Sequence, residues 1–454
     1  MDFTPLFVSF FAGFMKKITI IGGGATGTLL AVNLIRHAGG QPLEINVIEK
    51  NERFGTGVAY STKRDFHLLN VPAGKMGAFP DEVEHFYKWL CENGITCEPT
   101  DFMPRRMYGE YLRKLFWETN DRKPGNIAVN VHGEEAIDIK FGENSAEVWL
   151  NSGTSLPSDK VVLAFGNFLP PPPRMKSQDF LSSPKYFGNP WSGDIDEKID
   201  LSDDIFIIGT GLTMVDTVLS LYHKYHRGKI YAASTHGLLP AVHKLGFTYP
   251  SFESELENIE TVPELLKTVR GHIKKADSDG SDWRAVIDSL RPVTQKTWMR
   301  LSEKEKRRFM RHLRHFWNTS RHRIPAECWE VLYRMQWTDQ LHMKKGRAKN
   351  IRVRRDGKFE IDLNNEKIPV NAVINCTGSE SDFSKLEVPL VKSLLSKGVI
   401  KTDALSLGLE ASAEGKISEI LYTIGTSLKG IMWESTAMPE LRAQAKALAL
   451  HFLE

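Results

Sequence analysis

The sequence predicts an α/β protein with two Rossmann-like dinucleotide-binding domains and a helical insertion. Two glycine-rich turns carry this prediction, because each follows a short β-branched run and opens a helical pattern. The first reads ITIIGGGATG over residues 18–27, and the second reads IFIIGTGLT over residues 205–213. Two such turns in one chain indicate two dinucleotide sites, typically one for a flavin and one for the nicotinamide that reduces it.

The first turn is a complete G-x-G-x-x-G motif, formed by Gly22, Gly24 and Gly27. Its glycines permit a tight turn, the approach of a pyrophosphate and close packing of the next helix on the strand. The following strand ends at Glu49, where a carboxylate accepts the hydroxyls of an adenosine ribose. The predicted FAD contacts of this unit are Gly22, Gly24, Ala25, Thr26, Gly27 and Glu49.

The second turn departs from the motif. Gly209 and Gly211 match, but Met214 stands in the third glycine position and predicts a looser contact between helix and strand. The next strand run ends without a carboxylate, and hydroxyl or cationic groups there favour a 2′-phosphate, so we expect NADPH, with NADH as the alternative. The predicted NAD(P) contacts are Gly209, Gly211, Leu212, Thr213, Thr235 and His236.

Changes in composition along the chain predict how it divides into domains. Residues 170–173 are four consecutive prolines, which form a stiff connector. The chain beyond residue 240 reads as helical and charged before strand patterns return. The predicted arrangement is glutathione-reductase-like: residues 1–14 as an N-terminal apolar extension, 15–169 as the first part of the FAD-binding domain, 170–240 and 346–370 as the NAD(P)-binding domain, 241–345 as the helical insertion, and 371–454 as the second part of the FAD-binding domain.

Further cofactor and substrate contacts are predicted outside the two turns. A small-residue loop follows Glu49, two later apolar runs end in glycine, and a helix begins near residue 436. These features add Asn70, Val71, Gly378, Gly425, Thr436 and Ala437 to the predicted FAD contacts. The arginines and histidines of the helical segment form either a solvated basic face or an anion site. The second alternative gives Arg321, His322 and Arg323 as predicted substrate contacts.

Composition limits the partners. The net charge of +3 over 454 residues gives no indication of a nucleic-acid partner. Four cysteines without a C-x-x-C motif predict no disulfide framework, no metal site and no dithiol relay. Residues 1–14 are apolar but too short to span a membrane, so we expect a cytoplasmic protein, with a weak membrane anchor as the alternative. The sequence does not indicate an oligomeric state.

Several motifs together resemble one bacterial family of FAD-NAD(P)-binding proteins. They are the first glycine turn, GVAYST at residues 57–62, LNVPAG at 69–74, FPD at 79–81, GTGLTMVD at 209–216, RHR at 321–323 and WESTAMPELR at 433–442. The resemblance covers nearly everything from Met15 onward. It implies FAD and NADPH as cofactors, and it extends to relatives that are flavin-dependent monooxygenases acting on amino-acid nitrogen.

Three functions fit these observations. We expect an FAD- and NAD(P)H-dependent oxidoreductase, specifically a flavin monooxygenase that hydroxylates a small amine or amino acid. The alternatives are a flavin dehydrogenase with an acceptor other than oxygen, and a non-catalytic FAD/NAD(P)-binding protein. The partner is a small-molecule substrate in the enzymatic alternatives. The catalytic acid or base stays unassigned, because His67, His85, His236 and His243 each also fit the description of an ordinary surface residue.

Overall fold

The computed structural model describes residues 15–51 and 54–454, so the predicted N-terminal extension lies outside the described residues. Numbered along the chain, the strands are β1 Lys16–Ile21, β2 Leu43–Ile48, β3 Ile127–His132, β4 Ala136–Phe141, β5 Ala146–Leu150, β6 Ser155–Ser158, β7 Lys160–Leu163, β8 Tyr186–Phe187, β9 Ile205–Ile208, β10 Ile230–Ser234, β11 Leu341–Lys345, β12 Ala348–Val353, β13 Phe359–Leu363, β14 Glu366–Val370, β15 Ala372–Asn375 and β16 Leu421–Thr423.

The helices are numbered in the same way. They are α1 Ala25–His37, α2 Gly57–Tyr60, α3 His85–Glu92, α4 Arg105–Asp121, α5 Asp194–Lys198, α6 Leu212–His223, α7 Glu253–Leu256, α8 Val262–Ser278, α9 Trp283–Ser289, α10 Arg291–Arg300, α11 Glu303–His312, α12 Arg314–Arg321, α13 Ala326–Trp337, α14 Pro389–Ser396 and α15 Met438–Leu453. Short 3₁₀ turns lie at Ala73–Lys75, Asp179–Ser182, Phe383–Lys385 and Gly425–Leu428.

The first domain is built on a parallel five-stranded sheet in the order β16-β7-β1-β2-β3. Its central strand is apolar on both faces, as parallel sheets require. Ile18 and Ile20 pack with helices α1, α4 and α15 on one face. Ile21 packs on the other face with the antiparallel β4-β5-β6 sheet and α14. The C-terminal strand and helix thus complete the domain that the N-terminal turn begins.

The second domain repeats this plan. Its parallel sheet has the order β11-β10-β9-β15-β8. Ile205 and Ile207 pack with α6 and α13 on one face, whereas Phe206 packs with the antiparallel β12-β13-β14 sheet on the other. Because both domains place a strand, a glycine turn and a helix in the same order, two Rossmann-like units are present, as predicted.

Two predicted domain boundaries need correction. We assigned Leu341–Lys345 to the helical insertion, but this segment is strand β11 and pairs in parallel with β10. We assigned Ala372–Asn375 to the FAD-binding domain, but it is strand β15 of the second sheet and pairs with β9. Both strands are short apolar runs, and sequence alone does not say which of two similar sheets completes its hydrogen bonds with them.

A helical segment, α7 to α12, packs beside the two domains. Ser302 caps the start of α11, because its hydroxyl accepts from the Glu305 N–H. The Glu305 carboxylate does not bond back to Ser302 but accepts from the Val262 N–H at 2.8 Å. Glu305 is therefore used to fix α11 against the start of α8. Within residues 15–51 and 54–454, no helix is both long and apolar enough to cross a membrane.

Candidate functional site: a cavity between two dinucleotide folds

The first glycine turn has the geometry that its sequence requires. Gly22 has a φ of +114°, and a Cβ there would lie 2.2 Å from the Ala164 carbonyl oxygen. A Cβ on Gly27 would lie 2.0 Å from the Gly22 carbonyl oxygen. The Glu49 Oε2 accepts a hydrogen bond from the Gly23 N–H at 3.1 Å, which holds the carboxylate at the turn. The structure therefore brings the predicted acid to the predicted turn.

The helix after this turn begins without a side-chain cap. Gly24 is its N-cap residue and offers no side-chain acceptor, so the first-turn N–H groups face outward without an intrahelical partner. Gly24 lies close to Gly57, since a Cβ on either would be 3.4 Å from the other's Cα. Gly425 lies beside Thr26, with a Cβ position 3.3 Å from the threonine hydroxyl. This cradle of small residues fits the pyrophosphate of a dinucleotide.

The second glycine turn has the same backbone and more open surroundings. Gly209 has a φ of +110°, and a Cβ there would lie 2.3 Å from the Cys376 carbonyl oxygen. A Cβ on Gly211 would meet nothing within 4 Å. Met214, in place of the third glycine, is fully buried in the core of the second domain. Helix α6 therefore accommodates a large side chain where α1 has none, and the approach to its N-terminus stays free.

A cavity of about 830 Å³ lies between the two domains and the helical segment. Its lining includes thirteen of the predicted contacts: Asn70, Val71, Gly378, Thr436 and Ala437 from the FAD set, Gly209, Gly211, Leu212, Thr213, Thr235 and His236 from the NAD(P) set, and Arg321 and His322 from the substrate set. The structure thus brings together in one space all the predicted NAD(P) contacts, part of the predicted FAD set and two of the three predicted substrate contacts.

The other predicted FAD contacts do not line this cavity. They cluster at the first glycine turn and beside it, as the contacts above describe: Gly22, Gly24, Ala25, Thr26, Gly27, Glu49 and Gly425. Gly378 follows β15, so it approaches the cavity from the second domain rather than from the first. This position corrects the predicted domain of Gly378, and its contact with FAD stays a prediction.

Arg323 lies elsewhere, and this corrects a predicted substrate contact. Its guanidinium donates to both oxygens of Asp288, at 3.0 and 2.6 Å, and to the Arg284 carbonyl. The side chain is 2% exposed and does not reach the cavity wall. Arg321 is the last residue of α12, whereas Arg323 lies two residues beyond the end of the helix, so different stretches of backbone position the two side chains.

Arg321 lines the cavity with its charge already compensated. Its Nε donates to the Glu434 Oε2 at 3.2 Å, and Trp317 Nε1 donates to the Glu434 Oε1 at 2.9 Å. Glu434 is buried and has a positive φ of 68°, so the backbone is held in an unusual conformation that presents this carboxylate. These bonds fasten α12 to the loop before α15.

Two histidines at or near the cavity, His322 and His243, are uncharged at neutral pH. Burial and the charge of Arg321 lower the pKa of His322, which lines the cavity, to about 4. Burial also lowers the pKa of His243 to about 4, and its Nε2 lies 3.1 Å from the Asn70 carbonyl. His67 contacts Ser220 of α6, and His85 contacts Tyr111 within the first domain. Of the four histidines to which the sequence assigns no role, His236 is the one that lines the cavity.

Sequence reasoning missed several cations of the cavity wall. Lys429 lies just after the 3₁₀ turn that follows β16, and Arg347 lies just after β11. Both follow parallel strands at their carboxyl ends, where ligands bind in such sheets. That position could have drawn attention to Lys429. Arg347 was hidden by the wrong assignment of β11.

Comparison with known proteins agrees with this geometry. Residues 19–168 match the family model described as FAD-NAD(P)-binding, which confirms the resemblance for this part of the chain. The uncharacterized protein YdhS of Escherichia coli is 27% identical over 46% of this chain and 39% of its own length. Nitrosuccinic acid synthase of Aspergillus oryzae is 24% identical over 33% of this chain and 26% of its own length. The matches therefore span less than half the length of these relatives.

Similar solved structures cover almost the whole chain. The ornithine hydroxylase of Pseudomonas aeruginosa has a TM-score of 0.64 at 15% identity, covering 97% of this chain and 99% of that one. The ornithine N-hydroxylase of Kutzneria, with reduced FAD, NADP⁺ and L-ornithine, has a TM-score of 0.64 at 13% identity and the same coverage. The L-lysine 6-monooxygenase of Pseudomonas syringae has a TM-score of 0.59 at 16% identity, covering 96% and 99%. These likenesses confirm the predicted two-domain dinucleotide-binding fold.

Proposed function

We propose that the protein is an FAD- and NADPH-dependent monooxygenase that hydroxylates the nitrogen of a small amine or amino acid. The observation that carries this proposal is the single cavity on which the second glycine turn, the flavin-side residues Asn70 and Thr436, and the helical segment all converge. Ornithine and lysine hydroxylases share this fold over nearly their full length. The Aspergillus oryzae relative is named for nitrosuccinic acid, a compound that carries oxidised nitrogen.

The residues at the first glycine turn fit FAD. The uncapped start of α1 offers N–H groups to a pyrophosphate, and Glu49 is held where it would accept the ribose hydroxyls. Bound there, FAD would supply the transfer of electrons from NADPH to oxygen, and the protein would supply orientation and the exclusion of water. Gly24 and Gly57 leave the space that this cofactor needs, because neither carries a side chain.

The second glycine turn fits NADPH. The open space at Gly211 would admit the pyrophosphate, and Thr235 and His236 would lie at the adenosine ribose. No carboxylate follows β10 to oppose a 2′-phosphate, because Ser234 is followed by Thr235-His236-Gly237. The exposed cation Arg347 lies at the end of the neighbouring strand. These features favour NADPH over NADH.

In the proposed reaction, one N–H bond of the amine is replaced by N–OH. One oxygen atom of O₂ enters the product and the other leaves as water, while NADPH is oxidised to NADP⁺ and one proton is consumed. Arg321 and neutral His322 are the proposed substrate contacts on the cavity wall. His322 is uncharged at neutral pH, so it would accept or donate one hydrogen bond without repelling a protonated amine.

The cysteines disfavour a disulfide reductase of the same fold. Cys376 lines the cavity, but burial raises the pKa of its thiol to about 12, so it is not a nucleophile at neutral pH. Cys328 is also buried, with its pKa raised to about 12. Cys91 and Cys97 belong to the first domain around α3 and lie away from the cavity lining.

Anaerobic reduction followed by admission of oxygen tests the proposal. The purified protein, reconstituted with FAD, should lose its flavin absorbance on addition of NADPH and regain it in air. Hydroxylated amine should form in proportion to the NADPH consumed. Reduction without any hydroxylated product across an amine panel would favour a dehydrogenase with another acceptor. A protein that binds FAD but is not reduced by NADPH or NADH would be a binding protein and not an oxidoreductase.

A further inference from the structure

The cavity wall carries more positive than negative side chains. Its cations are Arg105, Arg174, Arg291, Arg314, Arg321, Arg347 and Lys429, and its carboxylates are Asp216, Glu380 and Glu434. A cavity with this imbalance attracts anions, because partial exclusion of water strengthens each charge. Which cations are free to bind a ligand depends on the ion pairs within the protein.

Three of the arginines are paired. Arg105 binds Asp216 at 2.6 Å, Arg291 binds Glu440 through two bonds of 2.8 and 2.7 Å, and Arg321 binds Glu434 at 3.2 Å. These ion pairs hold the elements of the cavity wall together. Because each guanidinium is already neutralised by a carboxylate, it attracts an anionic ligand only weakly. Their bonds connect α4 with α6, α10 with α15, and α12 with the loop before α15.

The other four cations have no carboxylate partner among the described residues. Arg174 and Arg347 are exposed, whereas Arg314 and Lys429 are not. Both side chains are half-buried, and among the described residues neither has a carboxylate partner or a side-chain hydrogen bond. Lys429 Nζ lies 5.7 Å from the centre of the Trp433 ring, which provides only a weak cation–π contact. Burial and the charge of Arg314 lower the pKa of Lys429. Two neighbouring cations without an anion are unfavourable in the empty protein and become favourable when an anion lies between them.

The two cations are held in place from different elements. Arg314 is the first residue of α12, and Lys429 follows the 3₁₀ turn at the carboxyl end of the first sheet. That turn is fastened by the bond from the Thr426 hydroxyl to the Gly166 carbonyl. Glu434 ties α12 to the same loop through Trp317 and Arg321. The fold, and not the ligand, therefore sets the positions of the two backbone segments that carry these cations.

We propose that Arg314 and Lys429 bind a carboxylate of the substrate and that the substrate is an amino acid with two carboxylates. This inference rests on the proposed function and specifies its substrate class. Ornithine and lysine carry a net positive charge, which the surplus cations of this cavity would repel. An amino acid with a carboxylate side chain is a net anion. One of its carboxylates can lie between Arg314 and Lys429, the two half-buried cations of the wall that lack a carboxylate partner, and the surplus positive charge of the cavity attracts the other.

The first test compares substrates on the FAD-loaded protein. L-aspartate and L-glutamate are the dicarboxylic probes, and L-ornithine and L-lysine are the cationic probes. At least one dicarboxylic amino acid should stimulate NADPH oxidation and give a hydroxylamine product, while the cationic amino acids should not. Stimulation by ornithine or lysine alone would overturn the substrate class and leave the proposed monooxygenase function intact.

A binding measurement separates the two proposals. Calorimetric titration with succinate, a dianion without an amine, reports on the cations even if the flavin is never reduced. Arg314→Gln and Lys429→Gln should each weaken binding of succinate and of the active amino acid by about tenfold or more. Arg311→Gln, an exposed arginine of the preceding helix, is the matched control and should have no effect. Unchanged binding in both variants, or a higher KM for NADPH alone, would show that the cations do not bind the substrate.

Discussion

Arg105 and Asp216 form a two-point ion pair that joins the two dinucleotide-binding domains. Arg105 Nη1 lies 2.6 Å from Asp216 Oδ2, and Nη2 lies 3.2 Å from Oδ1. The side chains are 18% and 11% exposed, and Arg105 Nε also donates to the Leu68 carbonyl at 3.0 Å. Because Asp216 belongs to the helix that opens at the second glycine turn, the pair fixes this helix relative to the first domain.

Removing the charge of Asp216 should loosen that connection. Asp216→Asn leaves Arg105 partly buried without a counter-ion, and we expect the free energy of unfolding to fall by about 2–3 kcal/mol. Glu110→Gln is a matched control, because it removes an exposed partner of the neighbouring Arg106. That change should cost less than about 1 kcal/mol. Urea unfolding of both variants measures the difference, and equal costs would show that the interdomain pair contributes no more than a surface pair.

The second glycine turn allows structure and binding to be separated. Gly209→Ala places a Cβ 2.3 Å from the Cys376 carbonyl at a φ of +110°, and should lower the free energy of unfolding by about 2–4 kcal/mol. Gly211 has a φ of −87°, and a Cβ there would meet nothing within 4 Å. Gly211→Ala should therefore leave the free energy of unfolding unchanged. Its methyl group would occupy the proposed pyrophosphate site, so the KM for NADPH should rise severalfold. A normal KM in folded Gly211→Ala would place the nucleotide elsewhere.

The local parts of the fold were predictable and the non-local parts were not. Both glycine turns and the carboxylate of Glu49 follow from short motifs whose backbone geometry is set within a few residues. Strands β11 and β15 were assigned to the wrong regions, because sheet membership depends on partners far along the chain. Arg323 resembles Arg321 in sequence, yet its pairing with Asp288 becomes visible only in three dimensions. Lys429 was missed for the same reason, since being unpaired is a property of the folded surroundings.

The preference for NADPH should depend on Arg347. Arg347 follows strand β11. The carboxyl end of β11 lies beside that of β10, because the Gly346 N–H donates to the Ser234 carbonyl at 2.9 Å. Arg347→Gln should raise the KM for NADPH by about tenfold and leave the KM for NADH unchanged, since only NADPH carries the 2′-phosphate. Arg355→Gln, an exposed arginine in the turn between β12 and β13, is the control. A parallel loss with both nucleotides would indicate that Arg347 does not recognise the 2′-phosphate.

Acid should destabilise the protein through two half-buried histidines. The pKa values of His322 and His243 are each lowered from 6.5 to about 4 in the folded state. The unfolded chain therefore binds more protons between pH 6.5 and 4, and stability falls as the pH drops through this window. At pH 5 each histidine should reduce the free energy of unfolding by about 2 kcal/mol relative to pH 7.5.

Substitution of one histidine at a time isolates this effect. His322→Gln should remove its share of the pH dependence, so that the variant loses less stability than the wild type between pH 7.5 and pH 5. His312→Gln provides the control, because this exposed histidine lies on α11 away from the cavity. Urea unfolding of the FAD-free proteins at the two pH values keeps cofactor release out of the comparison. An unchanged pH dependence in His322→Gln would mean that this ring is already solvated enough to take up a proton in the folded state.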